Sequence, residues 1–166
     1  MSYYKPNTTT QSVHIWYDPV RNITANKPMG TGWLHFASQF EFGVYQQLSN
    51  FLKIEKQGLE LITQRVLCIK PPSRSLGQLN WKVDFMIRDT ASLEEFAYIE
   101  AKGGWLLKNT LYENEFFQKL HMWDSFYPGE FSKFYLVGDK SLQRQSNFPI
   151  KVWDANELIK ELREVL

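Results

Sequence analysis

The stretch Trp81–Gly104, WKVDFMIRDTASLEEFAYIEAKGG, decides how this chain is read. Two apolar runs, Leu79 to Arg88 and Phe96 to Lys102, flank a short acidic turn, the pattern of two strands joined as an antiparallel hairpin. The first run carries a lone Asp84, and the second ends in Glu100-Ala101-Lys102. Side chains alternate along a strand. Val83, Phe85 and Ile87 are therefore expected on one face, in the core, with Lys82, Asp84 and Met86 on the other. On the second strand Ile99 and Ala101 share a face, and Tyr98, Glu100 and Lys102 share the opposite one. Pairing the strands brings Asp84 close to Glu100 and Lys102. Gly103-Gly104 ends the hairpin and leaves the backbone open to a ligand.

Upstream, Phe40, Val44, Leu48 and Leu52 recur every four residues and predict a helix from Ser38 to about Phe51. Ser38 and Glu41 have the spacing of a capping box. Leu59 to Ile69 reads as a strand closed by Pro71-Pro72, and Ser73 to Gln78 as a polar loop containing Arg74. Downstream, a helix is predicted over roughly Leu107 to Ser125, with Phe116, Leu120 and Trp123 on its apolar face and Gln118 and Lys119 beside them. Short strands follow at Phe134–Val137 and Ile150–Trp153, then a C-terminal helix capped by Asp154 with Glu157 three residues on. The order helix, three strands, helix, two strands, helix predicts an α/β fold, a central mixed β-sheet flanked by helices. Residues 1–31 are polar and turn-rich, with a short strand at Val13–Tyr17. They read as an N-terminal arm or extension, packed on its own domain or laid along nucleic acid through Tyr3, Tyr4, Trp16 and Tyr17. Residues 32–166 read as a single domain.

A chain of 166 residues with 43% apolar and 22% charged residues is globular and has room for a sizeable core. The net charge of +1 conceals an asymmetry. Residues 1–82 hold nine Lys/Arg against four Asp/Glu, whereas residues 83–166 hold ten against fourteen. That suits a polyanion partner, with acids gathered near a metal. Aromatics, at 16%, exceed what a core of this size needs, so some are expected at a binding surface. A single cysteine, Cys68, rules out an internal disulfide and reads as a small buried residue. The lack of an 18-residue apolar run and of a signal pattern predicts a cytoplasmic protein with no membrane span. His14, His35 and His121 lack zinc-motif spacing and read as packing or surface residues. Neither a phosphate-binding glycine loop nor a serine nucleophile elbow is present.

Two carboxylates and a backbone carbonyl make a hard oxygen site for Mg²⁺. A metal there lowers the pKa of a bound water, and a lysine on the same face stabilises developing charge. E-x-K alone is common and also fits strand charges in which Lys102 merely pairs with Glu100. Asp84 inside an apolar run favours a site, because an unpaired buried acid is costly.

A helix bearing Ser38 and Glu41, then Asp84, then Glu100-Ala101-Lys102, resembles the PD-(D/E)XK nuclease superfamily over roughly Gly32 to Val137. The likeness is to its compact phage-type members and to transposase endonuclease subunits. Val83 stands before Asp84 where the motif has proline. The resemblance implies a restriction-endonuclease-like core and metal-dependent DNA cleavage with Mg²⁺, or Mn²⁺. Asp84, Glu100 and the Ala101 carbonyl would hold the metal, Glu41 would complete or tune that set, and Lys102 would be the catalytic lysine. Gln118 and Lys119 would reach phosphate, with Arg74 and Lys82 as further DNA-binding residues. One active site per domain and two strands to cut imply a homodimer or a partner subunit. The alternatives are a catalytically silent nucleic-acid-binding or assembly subunit on the same fold, and an α/β domain that binds another protein.

Overall fold

The computed structural model describes residues 14–104, 110–144 and 150–166. Val13, the arm residues Tyr3, Tyr4 and Lys5, and the predicted helix start at Leu107 lie outside the described residues. In chain order the elements are β1 (Ile15–Asp18), β2 (Ile23–Ala25), β3 (Leu34–Phe36), α1 (Gln39–Glu55), β4 (Leu59–Lys70), β5 (Leu79–Asp89), β6 (Glu95–Lys102), α2 (Thr110–Phe126), α3 (Pro128–Phe131), β7 (Phe134–Gly138), β8 (Val152–Trp153) and α4 (Ala155–Val165). The chain is mixed α/β, as its pattern predicts. A five-stranded sheet has the order β4-β5-β6-β7-β8, antiparallel from β4 to β6 and parallel from β6 to β8. A smaller antiparallel sheet, β2-β1-β3, stands beside it.

Local signals set most boundaries. Ser38 caps α1, its hydroxyl accepting the Glu41 N–H at 3.1 Å. The second arm of the box differs from expectation, because the Glu41 carboxylate takes the N–H of Ala37 at 2.8 Å instead of that of Ser38. α1 also runs on to Glu55, past the predicted end near Phe51. There Glu55 receives two hydrogen bonds from Arg163 of α4, at 2.6 and 2.7 Å, which ties the two helices together. Asp154 and Glu157 close the capping box of α4, as their spacing predicts.

The core has two parts. One gathers Val44, Leu48 and Leu52 of α1 with Phe85, Ile87, Ile99 and Ala101 of the sheet, Leu158 and Leu162 of α4, and Ile15, Tyr17 and Phe36 of the small sheet. The other gathers Phe116, Leu120 and Trp123 of α2 with Leu67, Ile69, Trp81, Val83, Met86, Tyr98 and Phe134. Residues 14–31 therefore pack back on the domain: β1 and β2 complete a sheet with β3, and Ile15 and Tyr17 join the first core.

Strand alternation misplaces one core residue. Val83 does not share a core with Phe85 and Ile87, although all three have the same strand parity. On β4, Leu61 packs with the first core and Leu67 with the second, again at equal parity. Both strands change layers across one place, where Gln64 adopts φ 56°, a left-handed conformation unusual for a side-chain-bearing residue. Its register position lies between the pairs Thr63–Phe85 and Arg65–Val83, opposite Asp84. The ribbon turns there, and alternation counted through the turn gives the wrong face.

The aromatic surplus is mainly core, not binding surface. Trp81, Tyr98, Phe116, Trp123, Phe131 and Phe134 pack edge-on or tilted, except that Phe131 stacks on Phe134, with ring centroids 5.4–6.0 Å apart. A sheet covered on both faces needs two apolar layers, and large rings fill them. Cys68 is only half-buried, its thiol 3.3 Å from the carbonyl oxygen of Lys70.

Gly138 ends β7 opposite Lys102 in the parallel ladder. A Cβ there would stand 2.5 Å from the Lys102 carbonyl oxygen and 2.9 Å from a Leu142 methyl. Gly138→Ala is therefore expected to displace the end of β6 and to lower unfolding free energy by about 1–3 kcal/mol, measured by urea titration. A variant as stable as the wild type would show that β6 does not depend on this close approach.

Candidate active site

The β5–β6 ladder runs through Arg88–Glu95, Ile87–Ala97 and Met86–Tyr98 to Phe85–Ile99, and there it stops. Beyond that point β5 stays with β4 through Val83–Arg65, while β6 follows β7 through Glu100–Leu136, Ala101–Val137 and Lys102–Gly138. The central hairpin thus opens into a fork, with Asp84 on one prong and Glu100 on the other. Two hydrogen bonds between carboxylates and main chain span the gap. The Asp84 N–H donates to Oε2 of Glu100 at 3.1 Å, and the Ala101 N–H donates to Oδ2 of Asp84 at 2.8 Å. Each acid satisfies an amide that would otherwise lack a ladder partner.

Lys102 lies on the same prong as Glu100, and its Nζ pairs with Oε1 of that residue. The Phe116 ring of α2 lies against the ammonium, 5.6 Å from Nζ to the ring centroid. Glu100 is buried, whereas Asp84 and Lys102 are partly open to solvent. Glu41, at the first turn of α1, is buried and within electrostatic reach of all three. Helix, hairpin and the β6–β7 ladder together bring Glu41, Asp84, Glu100 and Lys102 to one place; strand alternation predicts the last three, and only the family resemblance adds Glu41.

The charges there do not balance. Burial pushes the Glu41 carboxyl up to about 8, with the Asp84 and Glu100 carboxylates adding to the shift and the Ala37 N–H and Lys102 opposing it. Burial and the Asp84 carboxylate push Glu100 up to about 7, against the pull of Lys102 and the Asp84 N–H. Burial also raises Asp84, opposed by Lys102, the Ala101 N–H and Lys82. For Lys102, burial acts to lower the pKa, but Glu100, Asp84 and Glu41 outweigh it and hold the amine above its usual value. Three acids face the Lys102 ammonium, with the exposed Lys82 acting on Asp84 from outside, so a further cation would favour ionising all of them. An all-oxygen donor set of this kind fits a hard divalent ion. Among the described residues no three His, Cys, Asp or Glu side chains form a ready-made metal cage. The set expected from sequence, two carboxylates and the Ala101 carbonyl, does not require one.

Of the residues expected to bind DNA, only Lys82 joins this place. It is exposed, its Nζ donates to Oε1 of Gln64 at 3.2 Å, and its charge acts on Asp84. Arg74 is exposed in the loop between β4 and β5, Gln118 is exposed on α2, and Lys119 is half-exposed. Among the described residues no ion pair joins Arg74 or Lys119 to the carboxylates. A hollow of about 610 Å³ along α1, lined by Tyr17, Gln46, Asn50 and Lys53 among others, contains none of the cluster.

Sequence reasoning does not reach Gln64, Phe116 as a neighbour of Lys102, or a histidine pair. His14 and His35 are 21 positions apart, yet Nδ1 of His14 lies 2.9 Å from Nε2 of His35. The pairing of β1 with β3, Trp16 opposite His35, brings them together. The signal that could find them is that pairing, not spacing along the chain. Comparison of the chain with models of known families, with curated proteins and with solved structures found no match.

The raised carboxyls make stability depend on pH. Glu41 and Glu100 hold protons more tightly folded than unfolded, where the ordinary value is 4.5. Without metal, the share of stability that depends on these two carboxyls is therefore fully present below that value and is lost as pH rises through about 8. The raised Lys102 adds a constant amount across this window, since its share is lost only above the ordinary lysine value of 10.5. Glu41→Gln keeps an oxygen for the Ala37 N–H and removes one titrating acid. Thermal unfolding in EDTA should show the variant more stable than wild type at pH 8, by roughly 2–3 kcal/mol. The two should converge near pH 4. A wild-type profile flat from pH 5 to pH 8 would contradict the charge imbalance described.

Proposed function

We propose that this chain is a metal-dependent DNA endonuclease built on a restriction-endonuclease-like core, hydrolysing phosphodiester bonds by attack of an activated water. The observation that carries the reading is the unbalanced cluster in the hairpin fork: Glu41, Asp84 and Glu100 around a single lysine. The helix–hairpin–helix order, with the two motif acids on adjacent strands, supports it.

Asp84, Glu100 and the Ala101 carbonyl would hold a Mg²⁺ or Mn²⁺ ion, with Glu41 tuning them. When bound, the ion neutralises the carboxylates, makes water more acidic and offsets charge on the phosphate. Lys102 keeps its proton at any physiological pH, because three neighbouring acids favour the ammonium. It therefore acts as a fixed positive charge and hydrogen-bond donor toward a phosphate oxygen, not as a general base. Its contacts with Glu100 and the Phe116 ring limit where the ammonium can point. Cutting both strands of a duplex asks for a second copy or a partner nuclease.

Supercoiled plasmid and branched DNA, incubated with wild type, Lys102→Ala and Asp84→Asn, test this. Wild type is expected to nick or cut with Mg²⁺ and not with EDTA, and each variant to lose roughly two to three orders of magnitude in rate. Salt-sensitive binding without any cutting would transfer the reading to a silent nucleic-acid-binding subunit on the same fold.

A further inference from the structure

The fork has a flank that the proposed chemistry does not use. From Asp84 the chain leads back along β5 to Lys82, whose Nζ donates to Oε1 of Gln64 on β4. The amide nitrogen of Gln64 donates in turn to the carbonyl oxygen of His35 on β3, at 3.2 Å. The His35 ring then meets His14, with ring centroids 5.1 Å apart and nearly parallel, and Trp16, 4.7 Å away and tilted. This continuous strip crosses from the large sheet to the small one, and it begins beside the candidate scissile position. Lys82 and His14 are exposed, and Trp16, His35 and Gln64 are half-exposed.

Gln64 is the link, and it holds a left-handed backbone conformation that costs a non-glycine residue on the order of 1 kcal/mol. Such strain persists where the surroundings over-determine it. Here the same residue turns the ribbon opposite Asp84 and bridges Lys82 to His35. Two cation-capable rings and an ammonium in a row, next to an acidic centre, are complementary to a polyanion, whose approach the carboxylates alone would resist.

We infer that His14, His35 and Lys82, spaced by Gln64, seat the sugar-phosphate backbone of a nucleic acid strand beside Asp84. This rests on the nuclease reading and assigns the contact that brings substrate into the fork. Lys82 provides permanent charge. The histidines share one hydrogen bond, between Nδ1 of His14 and Nε2 of His35, which leaves Nε2 of His14 and Nδ1 of His35 to meet a phosphate. Burial holds the His35 pKa below the usual 6.5, with His14 and Lys82 adding to the shift. The neutral Gln64 and Trp16 complete its surroundings. Trp16 and the stacked imidazoles offer a surface on which a splayed base can stack.

The test is binding of a labelled duplex to the full chain in EDTA, read as Kd against salt at about pH 6 and pH 8, alongside plasmid cutting with Mg²⁺. Lys82→Ala, His14→Gln and His14→Gln/His35→Gln are compared with wild type. Lys82 and His14 are exposed, so their single variants keep the fold even where the double variant does not. The carboxylates of the fork titrate alike in wild type and the histidine variants, so the histidine share is the difference between them; Lys82→Ala also removes a charge that acts on Asp84 and is read from its salt slope. The double variant is expected to bind roughly tenfold more weakly than wild type at both pH values, His14→Gln less so. Lys82→Ala should lower the salt slope by about one. Wild-type binding and salt slope in all variants, with wild type still cutting, would overturn this inference and leave the nuclease reading standing. Wild type that neither binds nor cuts would overturn both.

Discussion

The two carboxylate-to-amide hydrogen bonds at the hairpin fork are the constraint from which the rest follows. Strands β5 and β6 part company there because each is drawn toward a different neighbour, β4 on one side and β7 on the other. A parted pair leaves main-chain N–H groups without a ladder partner, and a buried unpaired amide costs about 1–3 kcal/mol. Asp84 and Glu100 supply the missing acceptors, each to the opposite prong. The same acids also carry the cluster's charge: the other oxygen of Glu100, Oε1, pairs with Lys102, and Asp84 is partly open to solvent. That is why acids stand inside apolar strands, and apolar replacements would orphan those amides.

The two-sided core holds this fork open. α1 and α4 cover one face of the sheet and deliver Glu41 from that side, while α2 covers the other and places Phe116 against Lys102. The close approach at Gly138 fixes the β6–β7 prong, and the turn at Gln64 swings the β4–β5 prong away. One position demands the absence of a side chain, and the other demands an unusual backbone angle in a residue that has one.

What the sequence makes legible depends on how local the cause is. The strands of the hairpin, the Ser38 and Asp154 caps and the meeting of Asp84 with Glu100 and Lys102 follow from local strand and cap patterns, and all of them can be read from the chain. Val83 falls in the wrong core on such a reading, because parity is a local rule and the turn at Gln64 is imposed by packing of two layers. The aromatic surplus misleads for a related reason: composition counts rings but does not say how many sheet faces need covering. His14 and His35 escape notice because metal motifs are recognised by spacing, whereas this pair is made by antiparallel pairing across 21 positions. Glu41 reads both as a cap and as a member of the site, and its geometry accommodates both. It reaches back to Ala37, one residue before the cap, while its charge is felt by Asp84, Glu100 and Lys102.

The electrostatics of the cluster also select among roles for Lys102. A lysine serves as a general base only when burial or like charge lowers its pKa toward neutrality. Here burial does act in that direction, but three acids within reach act against it and prevail. Glu100 and Glu41, lifted to about 7 and about 8, are the groups that titrate near neutrality while no cation is bound. A bound cation would reverse their shifts by stabilising the carboxylates, and protons and metal would compete for the same oxygens. Proton affinity in the empty fork and metal affinity in the occupied one are thus two expressions of a single charge excess. Any change that relieves one, such as neutralising Glu41, weakens the other.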